Sequence, residues 1–276
     1  MNLPRIGFLG GGNMARALIG GLIGHGTPAA QLSVGEPSEA ARQLLARDFK
    51  VRVSPDNGVA IDGCELIIVA VKPQQAATVL GAIAAQLRSA RPVLLSVAAG
   101  IPSASLRAWA GPGVPIVRTM PNRAALIGAG VTGMYAAPGL TAGQRALAER
   151  VMQAAGQAVW VERESDLDVV TALSGSGPAY FFVLAELMMQ AAIGQGLDPV
   201  AARQLAVGTL HGAGALAHAS DGDLTRLRQE ITSKGGTTEA ALGAFAAADL
   251  GGIVAGAMQA ATRRSRELAT QFGKAT

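Results

Sequence analysis

The residues best placed to do chemistry begin at Gly10. Gly10-Gly11-Gly12-Asn13-Met14-Ala15 follows the apolar run Ile6-Gly7-Phe8-Leu9 and meets the spacing G-x-G-x-x-G/A at Gly10, Gly12 and Ala15. Gly10 permits a tight strand-to-helix turn, and Gly12 lets the backbone approach a diphosphate. Ala15 keeps the helix close to the sheet, and the positive end of that helix favours phosphate. The string from Leu9 through Met14 is therefore expected to hold a dinucleotide. A merely Gly-rich turn is the competing reading; a strand before it and a helix after it weigh against that. Glu36 stands at the end of the next predicted strand. A carboxylate there bonds the adenosine ribose and repels a 2′-phosphate, which favours NADH. Ser38 and Arg42, on the following turn and helix, offer a receiver for that phosphate, which favours NADPH. Glu36, beside Pro37, can equally cap a turn or face solvent. The cofactor reads as NADPH or NADH.

A second constellation lies late in the chain, at Ser233-Lys234-Gly235-Gly236-Thr237-Thr238. The Gly235-Gly236 pair frees the backbone to turn amides into a concavity, and a helix expected to begin near Glu239 adds its positive end. Such a turn suits the carboxylate of a small amino-acid-like ligand. Thr237 or Thr238 as a helix N-cap is the plainer alternative. His211 and His218 lie about two helical turns apart, but a metal site needs more ligands nearby than this segment offers.

These residues are positioned by two kinds of pattern. Short apolar runs at Arg5–Leu9, Leu32–Val34, Val51–Val53, Leu66–Val71, Val93–Ser96, Val114–Val117, Val131–Met134 and Val159–Val161 read as strands. Helical stretches fall between them, at Met14–Leu22, Ser38–Arg47, Gln74–Arg88 and Leu106–Trp109. Another opens at Thr141, where Thr141 and Gln144 have capping-box spacing. This alternation predicts an α/β fold, a Rossmann-like doubly wound and mostly parallel sheet. After Glu162 the strand pattern stops. Ser165 and Asp168 resemble another capping box, and Asp198-Pro199 is a helix start. The expected organisation is a dinucleotide-binding domain over residues 1–162 and an all-helical C-terminal domain over 163–276. In an α/β sheet, ligands sit beyond the carboxyl ends of the strands. Lys72-Pro73 and Ser96-Val97-Ala98 follow two such ends. Lys72 reads as a solvated lysine or a proton donor, and Ser96 as a turn cap or a pocket residue. Ser174 to Pro178 interrupts a helical pattern, either to kink it beside a pocket or to pack helices closely through small side chains.

Half of the 276 residues are hydrophobic, only 4% are aromatic, and 36 are glycine. Charged residues are 15%, against roughly 25% in an ordinary soluble domain. So little charge implies that part of the exterior is covered by another subunit. The net charge of +4 and pI of 9.7 raise the question of nucleic acid. The charges are scattered, however, and the one tight cluster, Arg263, Arg264 and Arg266, suits a helix end, so no nucleic-acid partner is expected. The uncharged stretch Val169–Ala185 is broken by glycines and Pro178 and makes a poor membrane span. No signal peptide is read at the amino terminus, and Cys64 is the single cysteine, fitting a reducing compartment. A soluble cytoplasmic protein with no membrane partner is expected.

Several strings together resemble the pyrroline-5-carboxylate reductase family over nearly the whole chain. They are Gly10–Ala15, Ala70-Val71-Lys72-Pro73-Gln74, Ser96-Val97-Ala98-Ala99-Gly100-Ile101, Arg118-Thr119-Met120-Pro121-Asn122, Leu173–Tyr180 and Thr232–Leu242. The first is shared with many dehydrogenases, whereas the last two, in this order and spacing, are specific. The resemblance implies reduction of 1-pyrroline-5-carboxylate to proline by NADPH or NADH, in an interleaved helical homodimer; a larger ring of dimers is equally compatible. It assigns Ala70, Val71, Lys72, Pro73, Ser96, Val97 and Ala98 to the nicotinamide half of the cofactor and Asn57 to its adenosine end. It gives Gly235, Gly236, Thr237 and Thr238 to the cyclic imino-acid substrate, with Thr238 bonding the substrate nitrogen. Departures are Arg123-Ala124 where many relatives have Thr-Pro, Lys234 where Pro is frequent, and Glu36 where several NADPH users carry a small polar residue. Imine reduction needs alignment and a hydrogen bond to nitrogen, not a strong acid, which fits a chain with three histidines. Two other functions stay open. One is a different two-domain dehydrogenase or imine reductase, although neither Lys234 nor Lys274 is followed by an asparagine four residues on, as a catalytic helix lysine often is. The other is a non-catalytic nucleotide-sensing subunit, which needs no Gly-Gly-Thr-Thr turn.

Overall fold

The structure, a computed structural model, describes residues 4–220 and 222–273; Lys274 lies outside them. The apolar runs become β1 (Ile6–Leu9), β2 (Leu32–Gly35), β3 (Arg52–Ser54), β4 (Leu66–Val69), β5 (Val93–Ser96), β6 (Ile116–Met120), β7 (Gly130–Ala136) and β8 (Gly156–Trp160). They form one sheet in the order β3-β2-β1-β4-β5-β6-β7-β8. All neighbours are parallel except β6 and β7. The turn Arg123–Ile127 between those two is a short 3-10 segment, too little chain for a helical crossover, so the strand returns antiparallel.

Helices cover both faces. On one lie α1 (Asn13–Gly24), α2 (Glu39–Phe49) and α7 (Ala142–Gln153). Ala15, Leu18, Ile19 and Leu22 of α1 are buried, the spacing that puts one helical stripe against a sheet. On the other face lie α3 (Asn57–Ile61), α4 (Pro73–Ala82), α5 (Ala84–Ala90) and α6 (Ser103–Ala110). Their Ala76, Leu80, Leu87 and Leu106 join one core with Leu9, Ile67 and Val69. β4 is fully buried along its length, and each such large side chain contributes about 1.5–3 kcal/mol. The helix expected over Gln74–Arg88 is two, broken at Ile83 (φ −113°, ψ 8°).

The rest is helical: α8 (Asp166–Val170), a π-helical turn at Thr171–Gly175, α9 (Gly177–Gly194), α10 (Pro199–Ala219), α11 (Leu224–Glu230), α12 (Thr237–Ala247) and α13 (Leu250–Gly273). The chain divides into two compact units, residues 1–175 with 261–276, and residues 176–260. The expected division after residue 162 falls earlier than this. α8 packs on β6 and β7, and Phe272 of α13 packs against the core of the sheet unit. The loss of strand pattern marks the last strand, not the edge of the unit it belongs to.

The expected capping box and the expected helix interruption are both corrected. Ser165 makes no side-chain cap; Asp168 is instead buried and accepts a 2.7 Å bond from Ser265 Oγ. Pro178 removes no interior hydrogen bond, because it stands in the first turn of α9, where its missing N–H has no partner to lose. The irregularity comes before it, in the π turn, where Thr171 Oγ1 and Ser174 Oγ donate to the carbonyls of Leu167 and Val170. By length and composition, Asp166–Gly194 could cross a membrane, with 17% of its most apolar window buried in the chain.

Candidate active site

The strand register lines up one edge of the sheet. Ser54 pairs with Gly35, Gly35 with Leu9, Leu9 with Val69, Val69 with Ser96 and Ser96 with Arg118. The chain leaves each strand still bonded to its neighbour: Gly10 N donates to Gly35 O (2.8 Å), Ala70 N to Leu9 O (2.9 Å) and Val97 N to Val69 O (3.1 Å). Leu9, Gly10, Glu36, Ala70, Val71, Ser96 and Val97 are thus brought to the carboxyl edge. There the order reverses, since β2 and β3 extend to one side of β1 and β4 to the other. That reversal opens the crevice in which doubly wound sheets bind ligands.

Each glycine of the turn has its own reason. Gly10 has φ +94°, and a Cβ there would meet Ala70 O at 2.9 Å and Val71 Cγ1 at 3.0 Å. A Cβ on Gly11 would meet Leu45 Cδ1 at 2.5 Å. Gly12 differs: it is exposed, its Cβ would touch nothing within 4 Å, and it N-caps α1 without a side-chain bond. The first intrahelical bond is Arg16 N to Gly12 O, so the amides of Asn13, Met14 and Ala15 open the helix outside its ladder. Donors without a side-chain cap, beneath space kept clear of a Cβ, fit a diphosphate.

Glu36 is held in place by this turn. Its Oε2 accepts Gly11 N and its Oε1 accepts Ser38 N, both at 2.9 Å. Ser38 Oγ caps α2 at Ala41 N, and Arg42 Nη1 donates to the carbonyls of Glu36 (2.8 Å) and Pro37 (2.7 Å). The pair expected to receive a 2′-phosphate is already bonded within its own loop. Asn57 opens α3, and its side chain sits where a Cβ of Gly35 would be, beside the end of β2.

On the other side of the switch point, Lys72 is exposed and N-caps α4, with Pro73 in the first turn. Ser96 is fully buried. Its Oγ accepts Ala98 N (3.3 Å), and its carbonyl accepts Thr119 Oγ1 (2.9 Å). The hydroxyl therefore shapes the turn through Val97 and Ala98.

In the 176–260 unit, Gly235 has φ +75°, and a Cβ on Gly236 would meet Ser233 Oγ at 2.5 Å. The N-cap of α12 is Gly236, with no side-chain cap, so neither threonine caps the helix. Thr237 and Thr238 are its first two residues, and Thr238 is half-buried. Gly235 N donates to Glu239 Oε2 (2.7 Å) and Gly236 N to Ser233 O (3.0 Å). Because the first intrahelical bond is Ala240 N to Gly236 O, the amides left for an anion are those of Thr237, Thr238 and Glu239. The concavity expected at the two glycines lies one step further along the chain.

A part-buried network behind this edge left no mark in the sequence. Arg118, 7% exposed, donates through Nη1 to Glu164 Oε1 (3.0 Å). Glu164 also accepts Ser103 N and Ser103 Oγ, each at 2.6 Å. Asn122 joins Val131 N to the Ser174 carbonyl. Partners so far apart in sequence leave no local signal. Burial pushes the Cys64 thiol above its ordinary range, with a Ser33 hydrogen bond opposing, which disfavours the nucleophilic thiolate.

A model of the pyrroline-5-carboxylate reductase dimerisation domain matches residues 164–268. One described as NADP oxidoreductase coenzyme F420-dependent matches residues 5–100. The pyrroline-5-carboxylate reductase of Pseudomonas aeruginosa is 42% identical over 99% of this chain and 100% of its own. The solved pyrroline-5-carboxylate reductase of Coxiella burnetii is similar at a TM-score of 0.94 and 34% identity, over 97% of this chain and 99% of that one. The Plasmodium falciparum pyrroline carboxylate reductase, solved with NADP bound, is similar at 0.82 and 26% identity, over 98% and 99%.

Proposed function

The chain belongs to the pyrroline-5-carboxylate reductase family, and on that premise we propose that it reduces 1-pyrroline-5-carboxylate to proline. Bound at the sheet edge, a reduced nicotinamide dinucleotide supplies the hydride. The chain's own work is to hold and orient. Leu9 through Met14 receive the diphosphate on the amides that open α1, Glu36 and Asn57 flank the adenosine end, and Ala70–Pro73 with Ser96–Ala98 line the nicotinamide end. The amides opening α12 take the substrate carboxylate, and the Thr238 hydroxyl hydrogen-bonds the imine nitrogen. Positioning of this kind lowers a barrier by several kcal/mol, about 7–11 at the upper end.

The observation that carries this reading is the opening of α12. It has no side-chain cap, it offers a half-buried hydroxyl at Thr238, and it lies in a chain that aligns end to end with pyrroline-5-carboxylate reductases. We assign dinucleotide binding to residues 1–162, and substrate binding and self-association to 163–276. We infer a homodimer through the helical half, alone or in a ring of dimers, working in the cytoplasm without a membrane or nucleic-acid partner. The test follows nicotinamide absorbance with synthetic pyrroline-5-carboxylate and scores proline. One proline per dinucleotide oxidised is expected. Cofactor binding without turnover on this or any related cyclic imine would mark a nucleotide-sensing subunit instead.

A further inference from the structure

We propose that Glu36 makes this chain select NADH over NADPH, by fixing a carboxylate at the adenosine end where a 2′-phosphate would have to lie. The proposal rests on the dinucleotide reading of the glycine turn, and it is independent of which imine is reduced.

Glu36 leaves β2 at the sheet edge, its main-chain N–H bonded to Ser54 O at 2.9 Å. Its carboxylate does not sway in solvent. Gly11 N holds one oxygen and Ser38 N the other, so the group spans the diphosphate turn and the loop that opens α2. A carboxylate oxygen accepts two hydrogen bonds, so each keeps a lone pair for a neutral ribose hydroxyl. A 2′-phosphate brings up to two negative charges and offers acceptors where the site also offers acceptors. Like charges a few ångströms apart repel by kilocalories even at the effective dielectric of a half-buried site.

Admitting the phosphate would require a cation, or removal of Glu36. The first cation after Glu36 along the chain is Arg42 of α2, and its Nη1 donates to the carbonyls of Glu36 and Pro37. Ser38 is engaged as well, its hydroxyl oxygen accepting Ala41 N and its amide donating to Glu36. Swinging Glu36 away would release Gly11 N, an amide of the very turn that receives the diphosphate. Selection at the ribose is in this way coupled to the shape of the glycine turn.

The test is a binding titration of the purified full-length protein with NADH and with NADPH, read by nicotinamide fluorescence in the absence of any imine. NADH is expected to bind at least about tenfold more tightly. Glu36→Gln, which keeps the shape and removes the charge, should shrink that ratio about tenfold or more, and Glu36→Ser should do so further. Arg42→Ala should leave the ratio unchanged, because its guanidinium serves its own backbone. Equal or tighter binding of NADPH by the unaltered protein would overturn the proposal alone, as would an NADPH-specific loss in Arg42→Ala. Binding of neither dinucleotide would remove the glycine-turn reading together with it.

Discussion

Gly12 is the residue at which folding and binding separate. A Cβ there touches nothing, whereas one on Gly10 or Gly11 collides with neighbouring chain. The backbone of Gly12 is extended, at φ −69° and ψ −174°, which valine adopts readily. Gly12→Val is therefore expected to unfold within a degree or two of the unaltered protein, a surface-scale effect. It should lose dinucleotide binding in a titration because a branched side chain fills the diphosphate position. Retained affinity would overturn the fingerprint assignment. Thr238 makes the complementary case. Since Gly236 caps α12, Thr238→Ala removes no cap, and the helix should persist. Loss of one hydrogen bond to the imine nitrogen should lower kcat/KM for pyrroline-5-carboxylate about 10- to 100-fold, leave cofactor affinity intact, and be rescued by Thr238→Ser. An unchanged rate would take Thr238 out of the mechanism. The glycine turn was legible in the sequence because its physics is local, one residue to one steric demand. The engagement of Glu36 with Gly11 was not, since the two meet only when β1 and β2 pair.

Elements were legible in proportion to how local their causes are. The strand sites followed from apolar runs, and the N-terminus of α7 from its capping box, in which Thr141 and Gln144 satisfy each other. Ser165 and Asp168 carry the same spacing and do something else, because a partner distant in sequence outcompetes the local bond. Ser265 of α13 donates to Asp168 at 2.7 Å, with both residues buried. Arg266 Nε stands 3.7 Å from the other carboxylate oxygen. This contact ties α8 to the end of α13 within the sheet unit and explains why that unit reclaims the last stretch of the chain. A buried hydrogen bond to a charged group contributes about 1.5–3 kcal/mol. Ser265→Ala is expected to lower stability by that amount in denaturant unfolding, with the midpoint shifted and the slope unchanged. A cost within about 0.5 kcal/mol, the range of surface substitutions, would mean the tie holds nothing.

At the scale of the whole molecule the shortage of charge finds its counterpart in the helices of the 176–260 unit. Phe181, Phe182 and Val183 of α9, Val207 of α10 and Ile253 and Val254 of α13 are each more than half exposed in the single chain. An apolar surface of this extent on a charge-poor chain is stable in water only when covered. The match of residues 164–268 to a dimerisation domain supports a second copy as the cover. Composition disclosed that something had to be hidden; which helices hide it depends on their packing, which composition does not carry. In a two-fold interface each substitution counts twice. Phe182→Glu would thus forfeit two buried aromatic side chains, each worth about 1.5–3 kcal/mol by transfer, and add two unpaired carboxylates. The dissociation constant should rise at least about 100-fold, so that light scattering at micromolar concentration finds monomer where the unaltered protein gives dimer or larger. Dinucleotide binding by the sheet unit should survive the change, because Phe182 belongs to neither the glycine turn nor the strand ends. An unaltered assembly with Glu at position 182 would place the interface on another face of the helical unit.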